Sequence, residues 1–139
     1  MANNSNFKFV FIVFISISLK TMITEDFCTE ELVKLLLEKG CPLNKVIKQD
    51  RRPVYFTLPT DHPNWADCDA YYIPTHSQTM KWLREVHNIH IAVDRGIEHY
   101  FAVLTKLKPY QDLSMKNDVF DTYKEAVEST LKYCLTKLI

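Results

Sequence analysis

PTHSQTMKWLREVHNIHIAVDRGIEHYFAVLTKL, residues 74–107, is the stretch on which the reading of this chain turns. Thr75 and Gln78 stand at capping-box spacing. The threonine hydroxyl can accept from a first-turn N–H while the glutamine reaches back to the threonine N–H, so the spacing predicts a helix start. In helical projection Trp82, Val86, Thr79, Leu83, His76, His87 and Met80 share one side, with Arg84, Ser77, Lys81, Glu85 and Gln78 opposite. Asn88 suits the left-handed residue that closes such a helix. Beyond it the period changes: Ile89, Ile91 and Val93 alternate with His90, Ala92 and Asp94, which is strand spacing, and Arg95-Gly96 can turn the chain. A two-residue turn pairs Val93 with Glu98, Ile91 with Tyr100 and Ile89 with Ala102. That register predicts a core face of Ile89, Ile91, Val93, Tyr100, Ala102 and Leu104. The opposite face, carrying His90, Asp94, His99 and Phe101, reads as mixed and partly wet.

On the C-terminal side, residues 108–118 read as a loop, with a short strand at Val119-Phe120. Thr122 and Glu125 repeat the capping-box spacing, and a last helix is expected over 123–138. Its apolar arc holds Tyr123, Val127, Leu131, Cys134, Leu135 and Leu138, with Glu125, Glu128, Lys132 and Thr136 opposite.

Upstream, 29–39 forms another amphipathic helix. Thr29 is its cap, Glu30 and Glu31 lie in the first turn where the positive helix end favours acids, and Gly40 supplies the left-handed residue after it. Leu32, Val33, Leu35, Leu36 and Leu37 make the core arc. Pro53 and Pro59 bracket Val54, Tyr55, Phe56, Thr57 and Leu58, which reads as a strand near a sheet edge because prolines flank it. Tyr71, Tyr72 and Ile73 suggest another short strand, and 60–69 has the composition of a surface loop.

Residues 1–21 differ from the rest. Lys8 and Lys20 enclose an uncharged run over 9–19, 11 residues long against the roughly 20 that a membrane-spanning helix needs. Three readings stand side by side: a secretory signal or short anchor, with Ser16-Ile17-Ser18 as a small-x-small cleavage site; translation starting at Met22; and an integral strand or helix. The compartment follows the choice, cytoplasmic for a Met22 start and exported or membrane-associated if 1–21 acts as a leader. Membrane contact is expected only through those residues.

Lys plus Arg and Asp plus Glu number 17 each, and setting 1–21 aside leaves 15 bases against 17 acids. No global field draws the chain to polyanions, which counts against a general nucleic-acid binder. The four cysteines, Cys28, Cys41, Cys68 and Cys134, include no C-x-x-C pair and fit reduced thiols packed as small hydrophobes better than a zinc ribbon or redox site. The expected architecture is a single α+β domain over 22–139, with the hairpin in a short, mostly antiparallel sheet packed against about three helices.

The blocks PTHSQTMKWLREVHNIHIAV and FDTYKEAVESTLKYCLTKLI resemble a family of short uncharacterised proteins encoded by gut bacteria and their phages. Its members carry a PT-x-x-Q-x-x-KWLRE-x-H-x-I-x-I block before a hairpin and a YDTYEEA-type terminal helix. With a weaker likeness at ELVKLLLEKG, the resemblance covers about half of the chain. It implies a domain beginning near TEELVKLL and brings no activity, ligand or catalytic residue.

Candidate sites are few. His62, Asp67, Cys68, Asp69 and His76 form one conceivable metal group, and His87, His90 and His99 another, but neither has a standard ligand spacing. Lys81 and Arg84 on the polar side of the Trp82 helix, with the hairpin as a wing and Lys45, Lys48, Arg51 and Arg52 as phosphate contacts, outline a nucleic-acid face. No Gly-rich phosphate loop, G-x-S-x-G or H-E-x-x-H occurs, so no catalytic residue, cofactor or metal is assigned. The favoured function is a noncatalytic accessory or protein-interaction module of phage or mobile-element type. It would meet an unidentified protein partner through the face of His90, His99 and Phe101. A winged-helix-like nucleic-acid binder is the alternative.

Overall fold

The computed structural model describes residues 9–13, 25–48, 50–58, 64–113 and 118–139. The chain is α+β. In order it contains β1 (Phe9–Val13), α1 (Glu30–Glu38), β2 (Val54–Leu58), a 3-10 turn (Trp65–Asp67), β3 (Asp69–Tyr72), α2 (His76–His87), β4 (Ile89–Arg95), β5 (Tyr100–Leu107), β6 (Tyr110–Asp112) and α3 (Tyr123–Tyr133). A π-helical turn (Cys134–Leu138) extends α3. The strands form two three-stranded antiparallel sheets, β1-β2-β3 and β4-β5-β6. By contacts the chain divides into two compact units, 1–23 with 42–73 and 24–41 with 74–139.

In the first unit β2 is the central strand, not the edge strand that its flanking prolines suggested. Pro53 lies just outside the ladder, so it removes no donor from it, and Pro59 lies outside the described residues. Pro53 takes part through its carbonyl, which accepts from the Ile73 N–H at 3.0 Å. Val54, Tyr55, Thr57 and Leu58 are all buried, the two-sided burial of an interior strand. β1 comes from the uncharged N-terminal run, pairing Phe11 with Phe56. The free side of β3 is taken by 44–46: Tyr72 N–H donates to Asn44 O and Val46 N–H to Ala70 O, each at 2.9 Å.

The second unit follows the helix and hairpin reading closely. Thr29, Thr75 and Thr122 cap α1, α2 and α3, and the Thr75–Gln78 capping box is complete. Asn88 (φ 57°) and Gly40 (φ 78°) take the left-handed positions expected of them. The hairpin connection differs from expectation. It spans 96–99 rather than two residues, and the register pairs Ile91 with Leu104, Val93 with Ala102 and Arg95 with Tyr100. The displacement is four residues, an even number, so every side chain stays on its expected face. Ile89, Ile91, Ala102 and Leu104 are accordingly buried. The His99 ring lies across Gly96; a Cβ there would stand 2.7 Å from His99 Nε2, so a larger residue would require that ring to move. Part of the expected loop after β5 is strand β6, pairing Leu107 with Tyr110 and Thr105 with Asp112.

The helices cover the core face of this sheet. Leu32, Val33, Leu36, Leu83, Val127, Leu131 and Leu135 are each essentially inaccessible, and burial of one such side chain is worth about 2 kcal/mol. Two arc positions depart from projection: Val86 is 58% exposed and Tyr123 47%. The buried stripe of α2 is carried by His76, Thr79 and Leu83 alone.

Polar bonds fix how the helices meet. Residues 26–28 pair with 74–76, Cys28 N–H donating to Pro74 O at 3.0 Å and His76 N–H to Asp26 O at 2.9 Å. This lays the start of α1 against the start of α2. Glu128 of α3, expected on the solvent side, instead turns in: Oε1 lies 2.5 Å from His76 Nε2, and Oε2 accepts from Thr29 Oγ1 at 3.2 Å. Lys132 with Glu31 (2.7 Å) and Lys39 Nζ with Ile139 O (2.8 Å) continue the α1–α3 contact. Because the paired positions ascend together in both helices, α1 and α3 run parallel. Replacing Glu128 with Ala leaves the enclosed His76 nitrogen without its partner and should lower the unfolding free energy by about 2–3 kcal/mol, measured by urea denaturation. The exposed Glu31→Ala should cost under about 1 kcal/mol.

Candidate functional site

The outer face of the β4-β5-β6 sheet follows from the register. His90, Thr105 and Asp112 form one row across three strands, Ala92 and Val103 the next, and Asp94 and Phe101 the last. His99, in the connection, sets its ring 6.4 Å from that of Phe101, tilted by 53°. The expected surface therefore separates into two places. His99 and Phe101 are neighbours, whereas His90 stands four positions along the strand from the Phe101 row, roughly 13 Å away. His90, Ala92, Phe101, Val103 and Thr105 are half-buried; Asp94, Leu107, Tyr110 and Asp112 are exposed.

Lys81 and Arg84 lie exposed on α2, as projection placed them. Lys81 reaches Glu85 at 3.9 Å, one helical turn on, so half of the local positive charge is offset. The other basic candidates sit in the first unit, and two of them are committed. Arg52 forks onto Asp50 (Nε to Oδ2 2.9 Å) and stacks on Tyr72 at 3.7 Å from the ring centre. Lys45 reaches Asp69 at 3.4 Å. Lys48 supplies a carbonyl that accepts from the Tyr72 hydroxyl at 2.7 Å. The Arg52 guanidinium bonds hold the Asp50 carboxyl down at about 2, from an ordinary 3.8.

Of the proposed metal groups, His62 lies outside the described residues. Among those described, no three His, Cys, Asp or Glu side chains converge to hold an ion. His76 is committed to Glu128, and His87 and His90 stand on opposite sides of the sheet.

The four cysteines are free thiols. Burial pushes Cys28 and Cys134 up to about 12 and Cys41 to about 11, far from the thiolate that nucleophilic or metal chemistry requires. Cys28 bonds to Thr79 Oγ1 at 3.2 Å; since that hydroxyl donates to Thr75 O (3.0 Å), the thiol is the donor.

One feature had no sequence signal. Ile89, Lys106 and Gln111 form a single row across β4, β5 and β6 on the core face. With His87, Leu113, Leu138 and Ile139 they line a cavity of about 490 Å³. Gln111 belongs to a segment read as loop, and Lys106 faces the core only by strand parity, so no local motif joins them.

Compared with protein-family models, curated proteins and solved structures, the chain finds no match.

Two measurements check the electrostatics. A carboxyl titration followed by NMR should place Asp50 near 2, and Arg52→Gln should return it toward 3.8. Because the folded value is depressed, the stabilisation it reports is full above the ordinary value and is lost as pH falls through the lower one. Thiol-specific labelling of the native protein at mildly alkaline pH should leave Cys28 and Cys134 unmodified until denaturant is added.

Proposed function

We propose that this chain is a noncatalytic protein-interaction module, an accessory protein of phage or mobile-element type. It extends its sheet at the β4 edge, and its partner is a second copy of the chain. The observation that carries this reading is the open side of β4, an outer strand of its sheet. Asn88 O accepts from Leu107 N–H (2.8 Å) and Gly96 N–H donates to His99 O (2.7 Å), so even-numbered positions bond toward β5. By alternation, Ile89, Ile91, Val93 and Arg95 direct their N–H and C=O groups away from it. Seven residues is long for an edge strand, and such edges template strand addition unless blunted. β4 carries neither proline nor bulge.

Charge selects the second copy as occupant. An antiparallel β4–β4 pair centred on Ala92 brings Ile91 against Val93 in a hydrogen-bonded pair. It also places His90 of each copy opposite Asp94 of the other, in the closely spaced non-bonded pairs. Centring on Asp94 would oppose two like charges. The two uncovered faces then become one surface on which Phe101, Val103, Leu107 and Tyr110 continue across six strands.

Sedimentation velocity of the full chain should give a concentration-dependent dimer. Val93→Pro should sediment as a monomer with its circular dichroism unchanged, since proline there removes only an outward N–H. Asp94→Lys should weaken the dimer, and adding His90→Glu should restore it. A wild-type chain that stays monomeric at NMR concentrations, or a Val93→Pro variant that still dimerises, refutes the reading.

A further inference from the structure

We propose that the cavity between the C-terminal ends of α2 and α3 binds a small carboxylate bearing an apolar chain. The site is assembled from three directions. The sheet supplies the floor, the row Ile89, Lys106 and Gln111, with Leu113 beside it through the Leu113 N–H to Leu104 O bond of 2.8 Å. α2 ends on it with His87. The π-helical turn after α3 closes the third side with Leu138, followed by Ile139.

Three polar residues border this place: His87, the half-buried Lys106 and the exposed Gln111. His87 Nε2 is fully enclosed and has no hydrogen-bond partner. The contact of the Trp82 ring with the imidazole, 4.7 Å between centres and 77° between planes, holds it in that orientation. Neither the Lys106 ammonium nor the Gln111 amide has a partner among the described residues, and no Asp or Glu side chain is among those lining the cavity. An ammonium and an amide on neighbouring strands select an oxygen acceptor carrying negative charge.

The remaining walls define the rest of the ligand. Ile89, Leu113, Leu138 and Ile139 are aliphatic, and a volume near 490 Å³ lies in the range of small-molecule sites. With a single cation among its described lining residues the cavity suits a monoanion better than a polyphosphate, and the aliphatic walls suit a chain of several methylenes better than a bare inorganic ion. π-helical turns are often retained where a helix has to shape a site. The one after α3 lies at this wall.

Octanoate is the probe, titrated into the full-length protein by calorimetry and by amide NMR, with octanol and inorganic phosphate as controls. The expected result is saturable octanoate binding with shifts at His87, Ile89, Lys106, Gln111 and Leu113. Affinity should fall at least tenfold in Lys106→Met and in Gln111→Leu, and octanol and phosphate should each bind at least tenfold more weakly. Lys106→Met keeps the length of the side chain and its strand position, so its fold is checked by the unshifted core resonances. Absence of saturable octanoate binding would overturn the proposal. So would octanoate affinity unchanged in folded Lys106→Met, or phosphate binding as tightly as octanoate.

Discussion

The carboxyl group of Glu128 bonds to His76 through one oxygen and to Thr29 through the other, and the arrangement of the second unit depends on that double contact. Thr29 caps α1 and His76 is the first residue of α2. One acidic side chain from α3 therefore binds the starts of two helices, where unpaired N–H groups and the helix dipole concentrate partial positive charge. Placing helices side by side in the same direction sets like ends together. An acceptor group at the shared end offsets that repulsion. The neighbouring Cys28–Thr79–Thr75 chain gives the buried thiol and the Thr79 hydroxyl their partners at the same corner.

The clasp also determines where the helices stop. From His76 to His87 along α2, and from Glu128 to Leu138 along α3 and its π turn, the chain advances by nearly equal lengths, about 16 Å each. Both helices leave the clasp with their apolar sides on the same sheet and end above the same row of residues. The cavity of His87, Lys106 and Leu138 is thus the far end of the polar corner, one helix length away. Moving the clasp by a turn on either helix would place a different pair of residues over Lys106.

What was legible in the sequence was whatever a few consecutive residues determine. Thr75 with Gln78, Thr29 before two glutamates, Gly40 and Asn88 each specify a helix boundary by their own chemistry, and each took the expected role. The faces of the hairpin were legible although its register was not, because strand parity survives any even displacement while the partner residue does not. Contacts distant in sequence left no local trace. Glu128 looks like a solvent-facing residue of an amphipathic helix until His76, 52 positions away, is brought beside it. Val54–Leu58 resembles an edge strand until strands are found on both sides of it. β6 is three residues long with every side chain exposed, so it carries no hydrophobic alternation to betray it.

The position of Lys106 shows how a fold can impose a charge on an apolar face. Ala102 and Leu104 fix the parity of β5, and parity leaves no freedom at residue 106: it points to the core side. Sliding β5 by one residue to expose the lysine would carry Ala102 and Leu104 into water and turn Phe101 and Val103 against the helices. Phe101 would then have to fill the place of a smaller residue, and overpacking a core costs about 1–3 kcal/mol, so the lysine stays. It is tolerable there because the helices have already ended, and its long stem can lie against Ile89 while the charged head meets open space rather than packed side chains. Burying a cation would ordinarily draw an acid to it. Glu128, an acid that α3 does turn inward, is instead engaged about ten residues back, at the opposite end of the helix pair.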